Sequence, residues 1–340
     1  MSDRIGTSDA RPGGSSSDGG RRAERAAWFA DRFAALQRNV ETFIKGKTEV
    51  VHLALMCVLA EGHLLIEDVP GVGKTMLARS IANSIKGSFS RIQFTPDLLP
   101  SDCSGTLVYK PSDQTFEPRF GPVFANIVLA DEINRASPKT QSALLEVMEE
   151  RQVTMDGTSY QVPEPFTVIA TMNTIEDAGT YVLPAAELDR FTLHTTIGYM
   201  QHRPEVEMLQ DRVAGRRVED VRPVMDLQTV QTMSAISRQT HVAPAVMDYV
   251  VGVCASTRRL PQLRLGASPR ASVCLVRVAQ TFAAAQGQEF VTADHVKAVA
   301  GPVLAFRLLL TAEAELNGDT GASIVSQILA SVPVPDERVG

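Results

Sequence analysis

The sequence predicts an α/β fold: a three-layer core in which a parallel sheet is covered by helices on both faces, followed by a smaller all-helical domain. Three observations predict it. The stretch Pro70-Gly71-Val72-Gly73-Lys74-Thr75 lies between a short apolar run and an Ala-rich segment, the setting of a strand, a glycine-rich turn and a helix. Apolar runs at residues 63–67, 127–130 and 167–172 alternate with segments of helical period, the pattern of strands buried on both faces. Beyond about Tyr199 the alternation stops and helical periods dominate.

Taken in order, residues 1–24 form a Ser-, Gly-, Asp- and Arg-rich tail with too little apolar surface to order itself, and are expected to be disordered. The α/β domain is expected over residues 25–200. It opens with Trp28, Phe29, Phe33, Leu36, Val40 and Phe43 at helical spacing, then a helix over 49–60 stopped near Gly62. The strand at 63–67 enters the glycine-rich loop, and a helix near 77–85 and a strand at 91–94 follow. Two inserted hairpins are expected, one pairing 106–109 with 114–117. The other pairs 151–155 with 158–162 across Asp156-Gly157, a strong two-residue turn signal. Between them lie the strand 127–130 and a helix opening at Ser137-Pro138 and running to Glu150. The strand 167–172 ends in Asn173. Helices at 206–213, 227–236, 245–256, 271–285 and 293–310 then build the helical domain, expected over 201–340.

Composition bounds the function. A 340-residue chain with 44% apolar and 21% charged residues is an ordinary globular protein, long enough for two domains. Its net charge of −6 argues against broad attraction to nucleic acid. No apolar stretch is long enough to span a bilayer, and no signal peptide is evident, so a cytoplasmic location is expected. Cys57, Cys103, Cys254 and Cys274 are scattered without C-x-x-C spacing, which reads as reduced, apolar cysteines rather than a zinc site.

The glycine-rich turn carries the chemistry. Backbone N–H groups of such a turn point inward, and the helix that follows adds positive potential where phosphates sit. Gly71, Val72, Gly73, Lys74, Thr75 and Met76 are therefore assigned to nucleotide binding, with the Lys74 amine on the β/γ-phosphates and the Thr75 hydroxyl on Mg²⁺. The pattern G-x-x-x-x-G-K-[ST] asks for glycine where this chain has Asp68; that position mainly eases the strand-to-loop turn, so the motif is present with one position degenerate. Asp131 and Glu132 emerge from a buried strand at the sheet's carboxyl edge. Asp131 suits the Mg²⁺ shell and Glu132 the polarisation of an attacking water. Without the loop, the same pair would read as a solvated acidic turn. Asn173 can orient the water, although alone it would be a strand-ending turn residue. Arg190 and Arg270 would pass for surface arginines, but phosphoryl transfer favours a guanidinium from the same chain or a neighbour.

Together these motifs resemble an AAA+ ATPase with a P-loop core. At INRASPKTQSALLEVMEERQVT, residues 133–154, the resemblance narrows to the MoxR family, and it extends from about Arg38 to about Leu310. The resemblance implies ATP and Mg²⁺ as ligands. It makes Asn173 the first sensor, Arg190 an inter-subunit arginine finger and Arg270 the second sensor on the helical lid, and makes the hairpins the family's paired insertions. Arg135 is either a sensor near a subunit boundary or a salt-bridged surface residue. Family members commonly carry Gly-Gln where this chain has Gly46-Lys47, a change on the adenine side of the pocket.

The implied function is ATP hydrolysis by a ring, usually hexameric, that assembles or activates a partner complex. The partner often contains a von Willebrand factor A domain, which would here be a separate protein. Alternatives are a nucleotide-gated scaffold without essential turnover and the ATPase subunit of a metal chelatase. A nucleic-acid motor is disfavoured because the second hairpin offers only Arg151 as a cation.

Overall fold

The computed structural model describes residues 16–173 and 181–334. Its first helix, α1 (Ser16–Glu41), starts inside the stretch expected to be disordered. Residues 21–25 are exposed, whereas Ala26, Phe29, Phe33 and Leu36 are buried, so the downstream apolar stripe anchors a helix that propagates back through polar residues. The rest of the expected tail, residues 1–15, lies outside the described residues.

Helix α2 (Thr48–Leu59) leads through a tight turn to β1 (Leu64–Glu67) and, after the glycine-rich loop, to α3 (Lys74–Ser84). The strand β2 is Phe89–Gln93, displaced toward the N-terminus from its expected place. It lies at the sheet's edge, where polar Ser90 and Arg91 are tolerated, so an apolar run did not mark it. The short α4 (Pro100–Ser104) precedes the first hairpin, β3 (Gly105–Lys110) and β4 (Thr115–Phe120). Then come β5 (Ile127–Asp131), α5 (Pro138–Glu150), the second hairpin of β6 (Gln152–Met155) and β7 (Thr158–Gln161), and β8 (Thr167–Met172). In that hairpin Asp156 and Gly157 both have positive φ, 47° and 78°, as the expected two-residue turn requires. After α6 (Ala185–Leu188), β9 (Leu193–Thr195) completes the sheet.

The strand order is β2-β5-β8-β1-β9, all parallel. Alternation along the strands divides the interior in two. Leu64, Ile66, Ile127, Leu129, Ile169 and Leu193 face a core shared with α1 to α3 and the C-terminal helices. Leu65, Val128, Ala130, Val168 and Ala170 face a second core filled by α5 and the hairpin bases.

The C-terminal region comprises α7 (His202–Val213), α8 (Leu227–Gln239), α9 (Pro244–Thr257), α10 (Pro269–Ala285), α11 (Ala293–Leu304), α12 (Ala312–Leu316) and α13 (Gly321–Ser331). Two short strand pairs interrupt the expected all-helical pattern. His241–Val242 pairs with Phe290–Val291, and Leu263–Leu265 with Leu309–Leu310. The helix expected over 293–310 therefore stops at Leu304, where the chain turns to bury the Arg307 guanidinium. Helix α10 packs on α8, α9 and α11 and also on α1 and α2, so the helical region and the N-terminal helices share one core.

Candidate active site

The loop between β1 and α3 borders a cavity of about 480 Å³ lined by residues 70–77, Asp131, Glu132 and Asn173. Gly71 and Gly73 have φ of +86° and +100°, which favours glycine, and a side chain added at either would meet no atom within 4 Å. The loop thus faces open space at the N-terminus of α3, the arrangement that receives an anion. Lys74 is 7% exposed and its Nζ donates to the Asp68 carbonyl at 2.8 Å, the Met172 carbonyl at 3.3 Å and Asn173 Oδ1 at 3.4 Å. Its neighbours on β1 and β8 are adjacent because the sheet makes those strands adjacent. Burial lowers the Lys74 pKa, against the opposing pull of Asp68, Asp131 and Glu132.

Asp131 and Glu132 leave β5 toward the same cavity. Asp131 Oδ1 accepts from the Thr171 hydroxyl at 2.6 Å, and Oδ2 from Arg91 at 2.6 Å and 3.1 Å. Glu132 adopts a left-handed backbone, φ 56°, stabilised by its N–H donating to Thr171 Oγ1 at 2.9 Å. Its carboxylate accepts from Asn173 Nδ2 at 3.0 Å, Gln93 Nε2 at 3.0 Å and Arg135 Nη1 at 2.9 Å. Burial alone would raise the Glu132 pKa, but Arg135 and Asn173 outweigh it and leave the group below the ordinary carboxylate range. The Arg135 contact matches the surface salt-bridge alternative. The Thr75 hydroxyl and Asp131 carboxylate line one cavity, and two oxygen donors of that kind fit a hard cation such as Mg²⁺.

Arg190 and Arg270 do not line the cavity of their own chain. They converge instead on Glu149, near the end of α5: Arg190 Nε lies 3.5 Å from Oε2, and Arg270 Nη2 lies 2.5 Å from Oε1. Asp189 fastens the two segments together. It accepts from Ser268, the cap of α10, at 2.7 Å and from buried Arg307 at 3.0 Å, and Arg307 also donates to the Phe191 carbonyl.

Sequence reasoning missed several residues here. Gln93 faces Asp131 across β2 and β5, a register that no local pattern reveals. Met208, Asp211, Arg212 and Arg216 close the cavity from α7 and the turn after it. Asp68 proves to be more than a tolerated variation, since it is 6% exposed with both carboxylate oxygens hydrogen-bonded. The signal available was the departure itself, a carboxylate where the pattern asks for glycine.

The geometry agrees with comparison to known proteins. Residues 63–193, from the residue before β1 to the first residue of β9, match the ATPase family associated with various cellular activities (AAA), and residues 255–328 match the AAA lid domain. A crystal structure of a Cytophaga hutchinsonii protein described as a candidate ATPase superposes with a TM-score of 0.86 at 32% identity, covering 94% of this chain and 99% of that one. YeaC of Bacillus subtilis is 42% identical over 300 residues, 88% of this chain and 94% of its own length. Chaperone MoxR1 of Mycobacterium tuberculosis is 39% identical over 307 residues, 87% of this chain and 81% of its own. The sheet region and the lid each match an AAA family model and the fold superposes on a solved structure along nearly its whole length, and with these relatives the chain belongs to the MoxR family of AAA+ ATPases.

Proposed function

We propose that this ATPase works as a closed ring of identical subunits, hexameric, in which Arg190 of one subunit completes the nucleotide site of the next and Arg270 serves as the second sensor on the lid. Turnover would drive the assembly or activation of a client complex. One observation carries the reading: Arg190, the expected arginine finger, sits with Arg270 on Glu149, and neither lines the cavity of its own chain. A guanidinium held outside its own cavity supports a role toward a neighbour's phosphates, where it would offset charge in phosphoryl transfer.

Within each subunit the backbone N–H groups of residues 71–75 and the Lys74 amine would bind the triphosphate, and Met76 would line the start of α3. Thr75 and Asp131 would hold Mg²⁺, which supplies neutralisation of the β- and γ-phosphate charge. Glu132 would act on the attacking water, and Asn173 would orient that water. Glu132 shares its oxygens among Gln93, Arg135 and Asn173, which hold the carboxylate in place beside the cavity. Lid movement against the sheet domain would carry the hairpins, whose Phe116 and Phe120 are exposed, against a client. The chaperone name of a 39% identical relative supports a protein client, and a separate von Willebrand factor A domain protein is the partner we favour. A cytoplasmic location accords with four unpaired cysteines, three of them buried. Among the described residues no helix is long and apolar enough to cross a membrane.

Mixing tests the shared site. Lys74→Ala and Arg190→Ala proteins should each be inactive, whereas a 1:1 mixture should regain turnover at about a quarter of its interfaces, where an intact loop meets an intact arginine. A mixture as inactive as its parents would sink the shared-site reading.

A further inference from the structure

Two residues depart from the expected nucleotide-pocket pattern, Asp68 and Lys47, and both side chains engage residues 197–199, which lie between β9 and α7. Asp68 Oδ2 accepts the N–H groups of Ile197 at 2.5 Å and Gly198 at 2.6 Å, while Oδ1 accepts that of Val69 at 2.7 Å. Lys47 Nζ donates to the carbonyls of Ile197 at 2.6 Å and Tyr199 at 2.7 Å. One carboxylate and one ammonium thus satisfy neighbouring peptide groups within the connection of residues 196–201. Charge-assisted bonds of this kind are the stronger class.

The connection leads to the cavity. Gly46, φ +65°, lies against the first turn of α7, where an added side chain would fall 2.5 Å from Pro204 Cγ. Further along α7, Met208, Asp211 and Arg212 line the same cavity, with the Arg212 guanidinium over the ring of Phe43. At the other end of the chain of contacts, Lys74 donates to the carbonyl of Asp68 itself.

We propose that Asp68 and Lys47 are positioning residues: together they clamp residues 197–199 and so hold α7 where it closes the cavity on the base side of a bound nucleotide. The inference rests on the nucleotide reading of the cavity. Neither residue belongs to the glycine-rich loop of residues 71–75, although Lys47 lines the cavity as well as holding the connection. Losing the clamp loosens the wall that meets the base and leaves the phosphate cradle in place, and because both residues hold the same segment their losses are less than multiplicative.

The test compares two probes on the full chain, a fluorescent ATP analogue and inorganic tripolyphosphate, which has no base. Asp68→Gly should raise the Kd for the ATP analogue at least fivefold and raise KM with it, while the Kd for tripolyphosphate stays within twofold of the parent. Asp68→Asn, which keeps one acceptor oxygen, should recover part of the loss. Lys47→Gln should weaken ATP binding in the same way, and the double variant should lose less than the product of the two. Equal losses for both probes, or an unchanged ATP Kd in Asp68→Gly, would overturn the clamp. If Asp68→Gly does not fold, Asp68→Asn with Lys47→Gln supplies the same comparison. Lys74→Ala separates the two failures: if it too binds ATP normally, the nucleotide reading of the loop fails, whereas loss of ATP there beside normal binding in Asp68→Gly rejects the clamp alone.

Discussion

In the proposed mechanism the chemistry turns on Glu132 and Lys74, and both are held by neighbours that restrain them. Replacing Glu132 with Gln keeps the shape of the group but removes its capacity to take a proton, so turnover should fall by about a hundredfold or more while ATP binding persists. Single-turnover hydrolysis alongside equilibrium binding checks this, and hydrolysis at the parent rate would refute the assignment. Lys74 has an ordinary value of 10.5 that burial lowers, so its charge is lost at lower pH than for a free lysine. ATP affinity should therefore weaken as pH rises through that depressed value, with proton uptake on binding in that range, measurable by calorimetry in buffers of different ionisation enthalpy. The identity of both residues was legible from PGVGKT and from the apolar run before Asp131. Asn173 was legible too, as the end of its strand, but Gln93 and Thr171 were not, because they reach Glu132 and Asp131 across the sheet rather than along the chain.

At the scale of elements, caps and turns decided how well the sequence could be read. Ser137-Pro138 marks the start of α5 and Asp156-Gly157 the second hairpin, since both depend on residues adjacent in sequence. Strand β2 lacks such a mark, and its observed bounds lie one to two residues before the expected ones. Ser268 shows an element boundary with a second duty: it caps α10 by accepting from the Ala271 N–H at 3.1 Å and donates to Asp189 at 2.7 Å. Ser268→Ala should cost about 1 kcal/mol from the lost cap. It should also lower turnover, because Asp189 then holds the Arg190 segment less firmly against α10. Urea denaturation reads the first effect and steady-state ATPase activity the second; full activity in a destabilised variant would leave Ser268 as a cap only.

For the whole molecule, the shared core makes the sheet and helical regions interdependent. Residues 25–200 alone would expose the surfaces of α1 and α2 that α8 and α10 cover, so that fragment should be insoluble or lack a cooperative unfolding transition. Protein expressed from residues 25–200 with a sharp transition would contradict this. Global stability should also depend on pH through His63. It is fully buried among apolar groups, with the Arg151 charge nearby, and its pKa is lowered from 6.5 to about 3. Its Nδ1 accepts from the Val168 N–H at 3.0 Å and its Nε2 lies 3.0 Å from the Met148 carbonyl. The unfolded chain binds a proton below its ordinary value while the native chain does not. Stability should therefore fall with decreasing pH below 6.5 by up to about 1.4 kcal/mol per pH unit from this residue, until its folded pKa is reached. Denaturation midpoints at pH 7 and pH 5, in the parent and in His63→Gln, test the sign.

By itself the sequence determined the alternating α/β plan, the phosphate loop and the two acids that end β5, because each depends on residues close together in the chain. Tertiary structure alone decided which strands are neighbours, and hence that Gln93 faces Asp131 and that Lys74 bridges β1 and β8. It also decided that Arg190 and Arg270 gather on Glu149 away from the loop, and that Asp68 and Lys47 meet on one connection. Those arrangements join residues separated by up to 152 positions, and only the packing of the sheet against the helices sets the distance between them.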